Sequence, residues 1–153
     1  MESGRVEAYA ANIVLSVAAI VQRKDGKVLL MWEGDMPYHN MWVIPIGYVQ
    51  QNENVVNAVS REVGEEMGLD IEIGDLVGVY DDFIDMGDKK IHHVIVCYRT
   101  RAVTDPPMIS REAKEYVWIG RKQVSKLVAP EVVKKMLSDH FRSKFMRVLM
   151  AGR

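Results

Sequence analysis

The sequence predicts an α/β (α+β) fold, an α/β/α sandwich in which a central mixed β-sheet lies between helices. Three observations predict it. Short apolar, β-rich runs recur along the chain, bounded by turn signals. A helix-length segment with a cap and a stop sits in the middle, from about Asn54 to Met67. A second, amphipathic segment of about 20 residues closes the chain from Pro130. The 153 residues fit one domain, 1–153, large enough to bury a core without disulfides.

Taken in order, Val14 to Val21 is apolar and β-branched and reads as a buried strand. The turn signal "KDGK" at Lys24 to Lys27 leads into "VLLMW", Val28 to Trp32, and the two runs are expected to pair as a hairpin. "EGDMPYHNM" is a polar loop. In "WVIPIGYV", Pro45 and Gly47 break the run into short strands. The central helix follows, with Asn52 or Asn54 as its cap and Gly68 as its stop. Strands are expected near Ile71 to Tyr80 and Ile91 to Thr100, separated by an acidic loop that carries Asp81, Asp82, Asp85 and Asp88. "EYVWI" is one more short strand. Pro130 suits the first turn of the last helix, where Val133, Met136, Leu137, Phe141, Phe145, Val148 and Leu149 recur at spacings of 3 and 4.

Composition removes several classes of function. Hydrophobic residues make up 48% and charged residues 27%, as in globular proteins, and the net charge of −1 provides no global attraction to nucleic acid or anionic membrane. The longest apolar stretch, Ile13 to Val21, is less than half the ~20 residues that span a bilayer. The start "MESGRVEAY" lacks the basic and apolar regions of a signal peptide. The lone Cys97 makes no intramolecular disulfide and no CxxC metal site, and its apolar setting reads as a core thiol. A cytoplasmic protein is expected.

The stretch "REVGEEMGL" crowds Glu62, Glu65 and Glu66 into one and a half turns beside Gly64. At about 100° per residue, Glu66 lies near +40° and Glu65 near −60° of Glu62. Val55, Val56, Val59, Val63 and Met67 fall between about 20° and 140°. The carboxylates thus border the apolar stripe, at the rim where helix meets sheet. Like charges there repel. A hard divalent cation such as Mg²⁺, which prefers carboxylate oxygens, would offset that repulsion. Gly64 falls near 200°, away from the carboxylates.

The 23 residues "GYVQQNENVVNAVSREVGEEMGL", Gly47 to Leu69, resemble the Nudix box, G-x5-E-x7-R-E-U-x-E-E-x-G-U with U apolar. Gly47, Glu53, Arg61, Glu62, Glu65, Glu66 and Gly68 match the fixed positions, and Val63 and Leu69 the apolar ones. At roughly 7% per residue type, seven matches arise by chance on the order of 10⁻⁸ per window. The resemblance implies a Nudix-type sandwich with the box as loop–helix–loop. It implies hydrolysis of a diphosphate bond in a nucleoside diphosphate derivative or nucleoside triphosphate. It implies Mg²⁺, with Mn²⁺ as substitute, held by Glu62, Glu65, Glu66 and the Gly47 carbonyl, and oriented through a Glu53–Arg61 salt bridge. The general base varies in such proteins. Here Glu65, Glu66, or Glu112 and Glu115 of "SREAKEYVW" are the candidates, since the latter resembles the family's E-x-x-E before a Trp-containing strand.

The sequence departs from the family pattern in two places. Ile46 stands where a second glycine is common, and "MWEG" stands where a basic residue often follows the second strand. Trp32, Tyr48 and Tyr80 are the aromatic candidates for substrate contact, Trp32 with a half-buried strand role as its alternative. His92 and His93 are adjacent in a strand, face opposite sides, and so do not share a metal. The partner expected is a small-molecule nucleotide. The last helix bears Lys134, Lys135, Arg142, Lys144 and Arg147, but its Phe141 and Phe145 belong to the apolar stripe, so no basic motif with interleaved aromatics is read there and nucleic acid is not an expected partner. Its apolar stripe is expected to pack on the domain or on a second copy in a homodimer. An RNA 5′-end pyrophosphohydrolase and a non-catalytic nucleotide-sensing module are the alternatives. Sensing modules often lose box carboxylates, and all four are kept here.

Overall fold

The computed structural model describes residues 13–108 and 113–151 of the chain. The strands are β1 (Ile13–Gln22), β2 (Val28–Glu33), β3 (Met41–Val43), β4 (Ile46–Tyr48), β5 (Ile71–Asp85), β6 (Lys90–Ala102) and β7 (Ala113–Ile119). The helices are α1 (Val55–Met67) and α2 (Glu131–Ala151), with a 3₁₀ turn at Arg121–Lys126. The sheet runs β3-β2-β1-β6-β5, with β4 also beside β1 and β7 beside β2. The pairing of β1 with β6 is parallel and the others are antiparallel, so the sheet is mixed as expected.

The expected β1–β2 hairpin is present but short. The turn forms, with the Arg23 N–H donating to Lys27 O at 2.9 Å and Gly26 at φ +85. The strands then share only the Gln22–Val28 pair. β4 takes up that edge of β1 at Ser16–Ala18, and along its other edge, from Ile13 to Gln22, β1 runs parallel to His92–Arg101 of β6. The reason lies in burial. Val17 through Val21 are at most 1% exposed, so both faces of β1 are covered. A strand of this kind reads as an unbroken apolar run, and without alternation it does not name its neighbour. The acidic "loop" is corrected. Asp81, Asp82 and Asp85 belong to β5, which pairs with β6 out to Asp85–Lys90. Only residues 86–89 turn, with Gly87 at φ +86.

Helix α1 follows its sequence signals. The Asn54 side chain accepts from the Asn57 N–H at 2.8 Å, and Gly68 ends the helix at φ +60. Its buried residues are Ala58, Val59, Val63 and Met67. Val56, expected in the stripe, is instead 44% exposed in the first turn. Ala58, at about −40° on the wheel, is buried in its place. The inward arc is therefore centred closer to the glutamates than the apolar residues alone suggested, with Glu62 and Glu66 inside it. Gly64 is exposed, and a Cβ there would meet nothing within 4 Å. Gly64→Ala should therefore stabilise the protein by up to about 1 kcal/mol with activity retained, as thermal melting and a turnover assay would report.

On α2, Val133, Met136, Leu137, His140 and Phe141 are buried. The stripe thus packs on this domain as far as Phe141. The side chains of Lys144, Phe145, Arg147, Val148 and Leu149 lie outside the described residues. Among the described residues, no helix is long and apolar enough to cross a membrane.

Candidate active site

The box residues meet where the β4–α1 loop folds back on α1. Arg61 is the hub. Its Nε donates to Glu53 Oε2 at 2.6 Å, and its Nη2 donates to Glu53 Oε1 at 2.9 Å and to the Tyr48 carbonyl at 2.8 Å. Its Nη1 donates to Glu62 Oε1 at 2.8 Å and to Glu65 Oε2 at 3.1 Å. The paired contact with Glu53 is the bidentate, charge-assisted geometry for which guanidinium is shaped. It holds the Glu53 carboxyl below its ordinary range and lifts Arg61 further above its own. The expected Glu53–Arg61 contact is therefore present, and it ties the loop before α1 to the middle of the helix.

Gly47 lies directly beneath the Glu62 carboxylate. A Cβ at this position would fall 1.9 Å from Glu62 Cδ. Only glycine leaves that space, which accounts physically for the first residue of the box. Ile46, where a second glycine is common, sits in β4 opposite Ala18 and is not among the residues with positive φ. Glycine's conformational freedom is thus not needed there.

Gly47, Tyr48, Glu62, Glu65 and Glu66 line a cleft of about 450 Å³ with Ser16, Glu33, Asp35, Tyr38, Ile46 and His93, among others. Among the described residues, five carboxylates reach this cleft and no Lys or Arg lines it. In kind, clustered carboxylates fit a hard divalent cation. Both Glu62 and Glu65 are turned onto Arg61 Nη1, and among the described residues no three acidic or histidine side chains form a ready-made cage.

Other candidates fall elsewhere. Trp32 pairs with Trp42 across β2 and β3, the rings edge to face at 5.1 Å, and it is not among the residues lining the cleft. That is the half-buried strand role. Tyr80 is 6% exposed, and its hydroxyl donates to Asp139 of α2 at 2.7 Å. Burial first, and this bond second, raise the Tyr80 phenol above its ordinary pKa. Tyr80→Phe should cost about 0.5–1.5 kcal/mol in a denaturant melt and leave KM unchanged. Glu115 is exposed on β7 and does not line the cleft. Glu112 lies outside the described residues. Tyr48 does line the cleft, 53% exposed.

Sequence reasoning missed Ser16, Glu33, Asp35, Tyr38 and His93 as cleft residues. The one available signal was the His92–His93 alternation, and it holds. His92 accompanies Phe83 and Asp81 on one face, while His93 enters the cleft from the other. Tyr38 donates to Asp82, an acid the sequence had placed in a loop.

The model of the NUDIX domain matches residues 13–140. The chain belongs to the Nudix hydrolase family. The central mixed sheet with its helices matches Nudix hydrolase structures. The chain is 35% identical over 82 residues to the low-salt glycan biosynthesis protein Agl8 of Haloferax volcanii, covering 54% of this chain and 53% of that one. It thus spans about half the length of that relative. It is 28% identical over 130 residues to the ADP-ribose pyrophosphatase of Methanocaldococcus jannaschii, covering 85% and 74%. Among solved structures it resembles the MutT Nudix hydrolase of Burkholderia pseudomallei, with a TM-score of 0.71, 26% identity, and 83% and 97% of the two chains covered.

Proposed function

We propose that the protein hydrolyses the diphosphate bond of a nucleoside diphosphate derivative or nucleoside triphosphate, with Mg²⁺ held by Glu62, Glu65, Glu66 and the Gly47 carbonyl. The observation that carries this reading is the complete box assembled at one end of a cleft, with Glu62 seated over Gly47 and braced by Arg61. The similarity to an ADP-ribose pyrophosphatase supports this substrate class. When bound, the metal supplies charge neutralisation on the phosphate oxygens and a more acidic water. The protein's own residues do the rest. Among the described residues the walls of the cleft carry carboxylates and no cationic side chain, so Mg²⁺, held by those carboxylates, would offset the charge of a polyphosphate there. Arg61 and Glu53 keep the carboxylates in place. Glu65 or Glu66, both on the cleft wall, accepts the proton of the attacking water.

The test is a substrate panel with Mg²⁺: ADP-ribose, nucleotide sugars, dinucleoside polyphosphates, (d)NTPs and triphosphorylated RNA. Diphosphate cleavage of at least one small nucleotide is expected, and a chelator should abolish both the cleavage and measurable nucleotide binding. Tight binding with no turnover on any member would instead favour a nucleotide sensor. Turnover confined to RNA would favour 5′-end processing.

A further inference from the structure

The wall of the cleft formed by β1 and β6 carries three polar atoms with no hydrogen-bond partner among the described residues, the two ring nitrogens of His93 and the hydroxyl of Ser16. Both residues are buried, His93 at 4% exposure and Ser16 at 0%. Both line the cleft. The parallel register pairs Val14 with His93 and Ser16 with Ile95, so Ser16 and His93 stand diagonally on the same face of neighbouring strands. Tyr48 closes on the imidazole edge to face, with centroids 5.6 Å apart, and fixes its orientation. Buried polar atoms are nearly always paired, with protein, water or ligand, so these three turn to the cleft for their partners. A bound ligand can supply them.

We propose that His93 and Ser16 form a neutral hydrogen-bonding subsite for the uncharged head of the substrate, a group that presents a donor beside an acceptor. The proposal rests on the diphosphate-hydrolase reading of the cleft. Burial holds the His93 pKa below its ordinary value, so at neutral pH the ring offers one donor and one acceptor. The Ser16 hydroxyl offers both. A phosphate wants donors and positive charge, and this wall has neither in excess. A nucleobase amide edge and a sugar diol each present the complementary pair, and both belong to the substrate class.

The experiment compares wild type with His93→Phe, His93→Gln and Ser16→Ala. The substrates are two Mg²⁺-bound diphosphates that share a distal sugar and differ in base, and two that share a base and differ in distal sugar. His93→Phe should raise KM about 10-fold or more for the preferred substrate, by more than it lowers kcat, and flatten the ranking of the set. His93→Gln keeps a donor and an acceptor and should restore part of the ranking. Thermal stability of His93→Phe should equal or exceed wild type, because an apolar ring replaces unpaired buried nitrogens. That result separates recognition from a structural role. Losses that follow the base assign the subsite to a nucleobase, and losses that follow the distal group assign it to a sugar. KM ranking unchanged in both His93→Phe and Ser16→Ala overturns the subsite. If wild type turns over no substrate, the hydrolase reading fails instead. Calorimetric binding of the same four ligands to wild type and Ser16→Ala then decides the subsite, with equal affinities refuting it.

Discussion

Glu66→Gln is expected to lower kcat by about 10²–10⁴-fold at saturating Mg²⁺ while the protein melts within about 0.5 kcal/mol of wild type. The two side chains have nearly the same shape and similar helix propensity, so α1 is not disturbed. What changes is charge. Glu66 lies on the inward arc of α1 and lines the cleft with Glu62 and Glu65. An amide there offers a weaker oxygen to a hard cation and cannot take a proton. Steady-state kinetics with a metal titration, run beside a thermal melt, makes the measurement. Activity within threefold of wild type would sink the metal assignment, and lost activity with a collapsed melt would mean that Glu66 acts through the fold.

Gly47→Ala should produce an activity loss of about 10²-fold from a single added methyl group. The new Cβ would stand 1.9 Å from Glu62 Cδ and 2.1 and 2.2 Å from the two carboxylate oxygens. Nothing shares that space, so the Glu62 carboxylate must swing away and give up its 2.8 Å bond from Arg61. The group displaced is the end of a flexible side chain rather than backbone. The stability cost should accordingly stay near 1 kcal/mol. Activity and stability thus separate at this site. Gly64→Ala, the same substitution 17 positions on, should leave activity unchanged and raise stability because its Cβ meets open space. A crystal structure of Gly47→Ala with Glu62 unmoved, or an undiminished kcat, would remove the packing argument for the box glycine.

The two outcomes also show where the sequence was legible. The box could be read because its chemistry is local. Glu62, Glu65 and Glu66 share one helix, so the 100° turn alone brings them together. Arg61 and Glu53 are one loop apart. Asn54 and Gly68 mark the ends of α1 by side-chain and backbone conformation that these residue types favour. The opposite sides of His92 and His93 follow from the two-residue period of a strand. Each inference spans a few residues and needs no knowledge of what the rest of the chain does.

The neighbours of β1, the extension of β5 through Asp81, Asp82 and Asp85, and the second wall of the cleft were decided by the tertiary structure. An apolar run buried on both faces pairs equally well with any strand of its kind, so "VLSVAAIV" followed by "KDGK" suggested the nearest partner, β2, and gave no sign of β4 and β6. Acidic residues in β5 looked like a loop because charge is normally solvated. In the fold, Asp81 meets His92 and Asp82 meets Tyr38. Ser16 and His93 are 77 residues apart, and only the parallel register of β1 with β6 places them together. The sequence by itself therefore determined the family, the carboxylate-bearing end of the cleft and the helix that carries it, because those depend on spacing within one element. The wall facing them depends on long-range strand pairing, which the folded chain selects by burying all of its apolar strands at once.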